Sequence, residues 1–400
     1  MPVTLAAAAV AMFLLGSIYA YGVLLPALMA AFGWERSTAA LPHAVLLFVY
    51  AVGMGIGGIL EHRLRSSRSA AAGGFLFGAG LVLASRLHSL TGLVLAYGVL
   101  AGIGFGFAYV SCVTAALRSY PARRGLAAGV VVGAFGLGAF VWAPLAQSFL
   151  PVLGWDGVML RFGLAALVLI PLLALGIRVP KRTAEAAEHH LHARGLTLAD
   201  ALRSPLFWLI FAAYLLVTSV GLMLLAHMVN FGLGQGIPAA RAAWLLSVMS
   251  IGSGAGRVLM GWLSDRIGRL PCLVVASVLE AVLLIGLVVV PLPAAIFIIA
   301  GLAGFAFGTW LTLYGPTSTD LFGLRYAGAI YGVLYLSYGV GGLLGPTLGG
   351  ALADHFGGYR TPFLAGAVFS ALGALLFLSV LYLHPRLYAH PPALDEEIPE

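Results

Sequence analysis

Twelve long apolar segments follow one another along the chain, separated by short clusters of charged residues, proline and glycine. Most approach or exceed the roughly 20 residues that an α-helix needs to cross the hydrocarbon core of a bilayer. The pattern predicts helices over residues 4–30, 41–60, 69–87, 91–117, 123–148, 157–178, 205–233, 239–263, 270–290, 293–319, 326–352 and 359–383. We therefore predict an all-α membrane protein with twelve transmembrane helices.

Composition supports a membrane protein. Hydrophobic residues make up 61% of the chain and charged residues only 9%, against roughly 25% charged in soluble domains. The net charge of +7 does not indicate a nucleic-acid partner, because basic residues in a membrane protein first serve to orient its loops. No catalytic triad, phosphate-binding loop or metal-ligand spacing is present, so we predict neither an enzyme nor a cofactor nor a metal site.

The distribution of basic residues predicts the orientation. Loops on one side hold 15 of the 21 Lys and Arg residues, loops on the other side hold 5, and Arg257 remains inside the membrane. The excess marks the cytoplasmic side, so both termini are predicted to be cytoplasmic. A polar segment that includes His189, His190 and His192 divides the helices six and six, and its histidines lack further ligands for a convincing metal site. The predicted organisation is an N-terminal six-helix bundle (1–178), a cytoplasmic linker (179–204), a C-terminal six-helix bundle (205–384) and a cytoplasmic tail (385–400).

The two halves resemble one another. Residues 58–65, GILEHRLR, end the second predicted helix much as residues 261–269, GWLSDRIGR, end the eighth, at an offset of 203. The fifth and eleventh helices open with similar residues at Arg124 and Arg325, an offset of 201. Near-equal offsets indicate an internal repeat, and repeated halves in a transporter place the substrate near the midplane.

Arg257 is the most unusual charge in the sequence. It lies in an apolar, glycine-rich helix, eight residues before Asp265, which puts it about 12 Å inside the charged end of that helix. Ser253 and Gly261 occupy the positions one turn away, so no carboxylate of its own helix neutralises it. A charge at this depth is costly, and arginine offers a fork of donors matched to a carboxylate. Arg257 is therefore a candidate for binding an anionic substrate; pairing with Glu280 or Asp320 of another helix is the alternative.

The stretch Gly261 to Arg269 also carries a short motif, Gly-x-Leu-x-Asp-Arg-x-Gly-Arg, by which the chain resembles the major facilitator superfamily. The resemblance implies two pseudo-symmetric six-helix bundles that work by alternating access. It also implies a gating role for Asp265, Arg266 and Arg269, and for Glu61 in the degraded copy of the motif. The alternative is that these charges serve topology alone.

Three further stretches resemble the monocarboxylate-transporter and oxalate/formate-exchanger branch of that family. They read FGWER from Phe32, YPARRGLAAG from Tyr120 and DHFGGYRTPF from Asp354. The resemblance implies transport of small organic anions and a substrate contact by Tyr109 of the fourth helix. The chain departs from the branch in having Ser253 where animal members carry Asp, no Lys in the first helix, and Tyr338 where the exchangers carry a second cation. One cation instead of two favours a monoanion.

The candidate substrate-binding residues are polar or aromatic and lie on helices that line the cavity in this family: Arg257, Tyr109, Tyr338, Tyr335, Trp310, Tyr314 and Tyr21. Trp310 and Tyr314 are four residues apart and share a helix face. Packing is the alternative for each aromatic residue. Glu280, His43 and His227 are candidates for proton coupling, because a carboxyl group within the membrane and imidazoles near its edge can exchange a proton.

We therefore hypothesise a monomeric transporter of small monocarboxylates such as lactate or pyruvate, working by proton symport in a bacterial-type cytoplasmic (inner) membrane. Its partners would be the monocarboxylate, the proton and the lipid bilayer. An organic-anion exchanger or a proton-coupled drug exporter is the alternative within transport. A membrane receptor is the alternative outside it, although no soluble signalling domain accompanies the helices.

Overall fold

A computed structural model describes residues 2–61, 65–178, 196–242, 244–290, 292–324 and 326–383. These residues form helices, turns and short connections, with no strand among them. Twelve helices within these ranges are long enough to span a membrane, which confirms the predicted fold class. They are α1 (Pro2–Phe32), α2 (Arg36–Glu61), α3 (Ser66–Ala84), α4 (Leu90–Ser119), α5 (124–153), α6 (155–174), α7 (Pro205–Gly234), α8 (Trp244–Ile267), α9 (Arg269–Val289), α10 (Pro293–Phe322), α11 (Ala327–Phe356) and α12 (Arg360–Leu383).

Ten continuous helical stretches in the described part of the chain are apolar enough to cross a bilayer by composition alone. One of them, Arg124–Ala174, contains both α5 and α6, because Gly154 alone leaves helical geometry at φ 68° and ψ 173°. The predicted loop over 149–156 is therefore wrong, and a single glycine replaces it. Helix α8 completes the twelve; it lies outside the apolar set and carries Arg257 among several glycine and serine residues.

Two helix starts differ in how well the local sequence predicts them. The Ser204 hydroxyl accepts a hydrogen bond from the Leu206 N–H at 3.3 Å, and Pro205 occupies the first turn of α7, where its missing N–H costs nothing. Helix α2 instead begins five residues before its predicted start at 41. Its Pro42 lies inside the helix rather than at its beginning.

The turn between α8 and α9 is a single glycine. Gly268 has φ 92°, a conformation that side chains with a Cβ rarely adopt, and the next helix begins at Arg269. Because α8 continues to Ile267, Asp265 lies within the helix, four residues before Arg269. This arrangement holds both side chains close to the turn.

The chain divides into two compact units. Unit 1 contains residues 1–119, 130–198 and 324–340, and unit 2 contains residues 120–129, 199–323 and 341–400. The start of α5 thus packs with α8 in unit 2, and the first half of α11 packs with α2 in unit 1. The two six-helix bundles predicted from the sequence, 1–178 and 205–384, follow the internal repeat and stay a prediction.

Unit 1 has a close contact between α2 and α11 that depends on glycine. A Cβ atom on Gly58 would overlap the backbone of Gly328, and a Cβ on Gly332 would overlap the backbone of Met54. Small residues allow helix backbones to approach within van der Waals contact in a membrane.

Unit 2 has an equivalent glycine-dependent contact, between α8 and α5. A Cβ on Gly261 would lie 2.5 Å from the Gly125 carbonyl oxygen, and a Cβ on Gly129 would lie 2.5 Å from the carbonyl oxygen of Arg257. Each of these residues is 203 positions from its counterpart in unit 1, so the repeat offset is 203 for both helix pairs. The offset of 201 predicted from Arg124 and Arg325 is wrong, because similar letters at the helix starts misaligned the glycines by two positions.

Candidate functional site

Arg257 lies on α8 in the interior of unit 2, with 3% of its surface exposed. Its backbone meets Gly129 of α5, and the preceding Gly256 packs against the backbone of Phe305 in α10. Two glycines therefore bring neighbouring helices close around the arginine. A guanidinium presents a planar fork of donors whose geometry matches a carboxylate.

The two carboxylates that were alternatives as partners of Arg257 make other contacts. Asp320 pairs with Arg124 at 3.0 Å and with Arg269 at 3.1 Å. The Ser370 hydroxyl donates a hydrogen bond to the Glu280 carboxylate at 2.6 Å, which joins α12 to α9. The substrate role of Arg257 stays a prediction.

Helix α10 contributes two of the predicted aromatic residues to unit 2, and they differ in their surroundings. Tyr314 stacks on Tyr214 of α7 with ring centroids 3.6 Å apart, and the Tyr214 hydroxyl donates to Thr317 at 3.2 Å. Trp310 is fully buried, and its indole N–H has no hydrogen-bond partner among the described residues. The Tyr314 ring thus has a packing role, whereas the Trp310 N–H can still donate to a ligand.

A group of five tyrosines, the tyrosine cluster, forms in unit 1: Tyr50, Tyr109, Tyr331, Tyr335 and Tyr338. Tyr335 is central, with ring centroids 6.0 Å from Tyr50, 6.0 Å from Tyr109, 5.7 Å from Tyr331 and 5.0 Å from Tyr338. The Tyr50 hydroxyl lies 3.5 Å from that of Tyr335. The structure therefore brings three predicted substrate residues together, Tyr109, Tyr335 and Tyr338. Tyr50 of α2 was missed, and its only sequence signal was a phenol in an apolar helix.

Tyr21 belongs to a different group of unit 1. Its ring stacks on His43 at 5.1 Å and on Tyr97 at 4.7 Å, and its hydroxyl donates to the Ala39 carbonyl at 2.7 Å. His43 Nδ1 lies 3.1 Å from the Tyr97 hydroxyl. A predicted substrate residue and a predicted proton residue thus share one stacked group, and the Tyr21 hydroxyl is occupied by a backbone carbonyl.

His227 connects three helices of unit 2. Its Nε2 lies 2.9 Å from the Pro346 carbonyl of α11 and must donate to it, since a carbonyl oxygen only accepts. Its Nδ1 lies 3.3 Å from the hydroxyl of Tyr359, which precedes α12. The ring fits against Gly349 and Gly350, so this glycine pair makes room for an imidazole.

Two of the predicted gate residues, Asp265 and Arg269, form an ion-pair group with Asp320 and Arg124 at the end of α8, which we call the latch. Asp265 accepts hydrogen bonds from the backbone N–H groups of Gly125 and Leu126, both at 2.8 Å, and pairs with Arg269 at 2.6 Å. The carboxylate thus caps the N-terminus of α5 from another helix, where the helix dipole favours a negative charge.

Sequence analysis identified only part of the latch. Arg124 and Asp320 were missed as its members, although a charge at each helix end was a signal for them. Arg266 has a different contact, with its guanidinium 3.9 Å from the ring centroid of Trp262. The side chain of Glu61 lies outside the described residues, as do the histidines of the linker.

Comparison with known proteins defines the class. The chain matches the Major Facilitator Superfamily over residues 7–241 and 230–398 and belongs to this family. The fold is also that of the crystal structure of FucP in the outward conformation, with a TM-score of 0.75 at 15% identity, covering 94% of this chain and 98% of that one. The protein is therefore a membrane transporter of the major facilitator fold.

Two relatives indicate the branch of the family to which the chain is most similar in sequence. The chain is 31% identical over 322 residues to the oxalate:formate antiporter of Oxalobacter formigenes, covering 78% of this chain and 75% of that protein. It is 28% identical over 398 residues to monocarboxylate transporter 13 of Bos taurus, covering 96% and 91%. These relatives confirm the predicted monocarboxylate and oxalate/formate branch.

Proposed function

We propose that the protein transports small monocarboxylates such as lactate or pyruvate across a bacterial cytoplasmic (inner) membrane, together with a proton and as a monomer with both termini in the cytoplasm. The observation that carries this proposal is Arg257, a guanidinium 3% exposed within α8. Its planar fork can bind both oxygens of a carboxylate. The names of the relatives support an organic anion as the substrate.

The described polar groups favour a monoanion. Tyr338, a neutral side chain, occupies the place where the exchangers carry a second cation. Neutral donors bind an oxygen without favouring a second negative charge. In unit 2, Trp310 adds a donor, and the latch at Asp265 would regulate exchange between conformations.

A liposome assay tests proton symport. One proton carried with one monoanion moves no net charge, so an imposed pH gradient should drive uptake of labelled lactate. A potential set by potassium and valinomycin should not, although it is worth about 2.3 kcal/mol per charge per 100 mV. Uptake that follows the potential and ignores the pH gradient would contradict symport.

Glu280, His43 and His227 are the proposed proton carriers, and conservative variants separate them. Glu280→Gln, His43→Gln and His227→Gln each remove the exchangeable proton and keep a similar shape. The variant of the true carrier should lose pH-driven uptake but keep exchange of internal for external lactate, because exchange needs no net proton movement. The other two should keep both activities.

Anion exchange is the second candidate, favoured by the 31% identity to the oxalate:formate antiporter. An exchanger should take up labelled anion only when the liposomes contain a counter-anion. Uptake into empty liposomes under a pH gradient would exclude obligatory exchange.

A further inference from the structure

Aromatic rings from three helices of unit 1 form one stacked group around His43. The Tyr21 ring of α1 stacks on His43 with ring centroids 5.1 Å apart, and the Tyr97 ring of α4 lies 4.7 Å from Tyr21. The Tyr97 hydroxyl lies 3.1 Å from His43 Nδ1. The Tyr21 hydroxyl donates to the carbonyl of Ala39, one turn before His43, at 2.7 Å. Both tyrosines are therefore held against α2 by a printed contact of their own hydroxyl groups.

Helix α4 departs from α-helical geometry where it meets α2. Residues Val94–Ala101, which include Tyr97, form a π-helical segment. The adjacent Gly98 lets the two helices approach closely, because a Cβ there would lie 2.9 Å from the Val45 side chain. π-Helical segments are rare and are frequently found at functional sites. The backbone of α4 thus gives a second, independent indication that the surroundings of His43 have a function.

Hydrogen-bond partners distinguish His43 from the other two proposed proton carriers. His227 has a partner on each ring nitrogen, a backbone carbonyl of α11 at 2.9 Å and the Tyr359 hydroxyl at 3.3 Å. Glu280 is fully buried and accepts a hydrogen bond from Ser370. His43 is only half-buried, and its Nε2 has no partner among the described residues. Of the three, His43 alone combines an anchored atom with an open one.

The groups that face His43 are neutral. They are the titratable side chains of Tyr21 from α1 and Tyr97 from α4. The helices of unit 1 that surround α2 contain no Asp, Glu, Lys or Arg within residues 2–32, 69–85, 90–117 and 326–340. In α2 itself the charged residues are Arg36 and Glu61, at its two ends. The Tyr97 oxygen is therefore the described group that can accept a hydrogen bond from a charged His43 ring.

We propose that His43 carries the transported proton on Nε2 and that Tyr97 is its positioning residue. This inference rests on the proposed proton symport and names the residue that performs it. The neutral ring donates its Nδ1–H to the Tyr97 oxygen, which leaves the lone pair on Nε2 to accept the proton. Nε2 gains the proton on loading and loses it on release, and the hydrogen bond at Nδ1 persists in both states. Tyr50 of the tyrosine cluster lies seven residues further on the same face of α2, about 10 Å away along the helix.

Three variants each remove the hydroxyl that contacts one proposed carrier: Tyr97→Phe for His43, Tyr359→Phe for His227 and Ser370→Ala for Glu280. Lactate uptake into liposomes is measured as a function of external pH. For Tyr97→Phe the midpoint of uptake should shift to lower pH, because the charged ring loses a stronger hydrogen bond than the neutral ring does. Half-maximal uptake should need about fivefold more protons, a shift of about 0.7 pH unit. The other two variants are the matched controls and should keep the wild-type midpoint.

Two further measurements test whether Tyr97 acts through His43. Combining Tyr97→Phe with His43→Gln should have no effect beyond that of His43→Gln alone, because the hydroxyl then has no ring to position. NMR of the histidine nitrogens, with the His43 signal identified by its loss in His43→Gln, should show the neutral ring protonated at Nδ1 in the wild type. Tyr97→Phe should lower that fraction. Its ring and stacking remain, so exchange of internal for external lactate should stay at the wild-type rate.

The outcomes separate this inference from the proposed function. The inference is overturned if Tyr97→Phe keeps the wild-type midpoint, or if Tyr359→Phe or Ser370→Ala shifts the midpoint as far. It is also overturned if His43→Gln retains pH-driven uptake, or if the neutral His43 ring of the wild type is protonated at Nε2. If wild-type uptake is the same at every pH, the proposed symport fails instead.

Discussion

The α8–α5 contact of unit 2 and the α2–α11 contact of unit 1 share one backbone design but differ in charge. Glycines separated by 203 residues bring the helix backbones together in both. The latch residues Arg269, Asp320 and Arg124 correspond to Ser66, Leu117 and Ala327 in unit 1, all of them buried and none of them charged.

This difference separates packing from function. Helix backbones need only small residues to approach one another, so that requirement is met twice in the sequence. Three of the four latch charges have uncharged counterparts among the described residues of unit 1. These three charges are therefore not required for the close approach itself, and the gating role proposed for the latch is consistent with that. Arg257 also has an uncharged counterpart in unit 1, Met54, so its charge is not required for the helices to pack closely.

Arg257→Met tests this comparison with the largest expected effect. Because Met54 is fully buried at the equivalent contact, the variant should fold and keep its melting temperature. Loss of the guanidinium should cost about 3 kcal/mol of carboxylate binding, roughly a factor of 100. Arg257→Lys should also impair binding, because a point charge replaces a fork. Ligand titration checks both variants, and normal lactate affinity in Arg257→Met would refute the carboxylate role.

Gly58→Ala and Gly261→Ala test whether the two contacts share their backbone design. Each added methyl group would meet backbone atoms of the partner helix, so each should destabilise its contact by about 1–3 kcal/mol. Gly254→Ala of α8 is the control, because no atom lies within 4 Å of its built Cβ. Melting temperatures check the three variants. An unchanged value for only one of the two contact variants would show that the contacts are not equivalent.

Asp265→Asn tests the role of the latch. An amide oxygen can still accept one backbone N–H, but the charge that favours the α5 N-terminus and Arg269 is lost, at a cost of about 1–2 kcal/mol. We expect slower exchange between conformations, seen as a lower maximal uptake rate, with an unchanged lactate dissociation constant. Asp354→Asn removes an exposed carboxylate at the end of α11 and should change neither quantity. Equal loss of affinity in Asp265→Asn and Arg257→Lys would contradict the division between gate and substrate site.

Asp320→Leu has the smallest expected effect and makes the latch more like unit 1, where Leu117 is the equivalent residue. The side chain of Asp320 is 30% exposed, so solvent screens its pairs with Arg124 and Arg269. We expect a loss below about 1 kcal/mol and a change in uptake rate of less than about fivefold. Uptake measured against the wild type checks this value. A change as large as that of Asp265→Asn would place Asp320 at the centre of the latch.

The sequence alone determined the membrane class, the number of helices and most of their bounds. Apolar runs of sufficient length specify membrane helices because a spanning helix satisfies its backbone hydrogen bonds internally, without help from distant residues. Helix α7 begins at Pro205 as predicted, because proline fits the first turn of a helix, whereas the end of α8 was predicted at 263 and lies at Ile267. Arg257 was identified because a charge in an apolar run is recognisable without knowing its neighbours.

Only the tertiary structure decided which polar groups are already occupied. The Tyr21 hydroxyl donates to a backbone carbonyl, and the Asp265 carboxylate caps the N-terminus of α5. Tyr50 joins the tyrosine cluster. The hydroxyls of Ser253 and Thr312 have no hydrogen-bond partner among the described residues. Hydrogen bonds and ion pairs between helices join residues far apart in the chain, so no local pattern records them. The sequence supplies the chemical groups, and helix packing determines which of them remain available to a substrate.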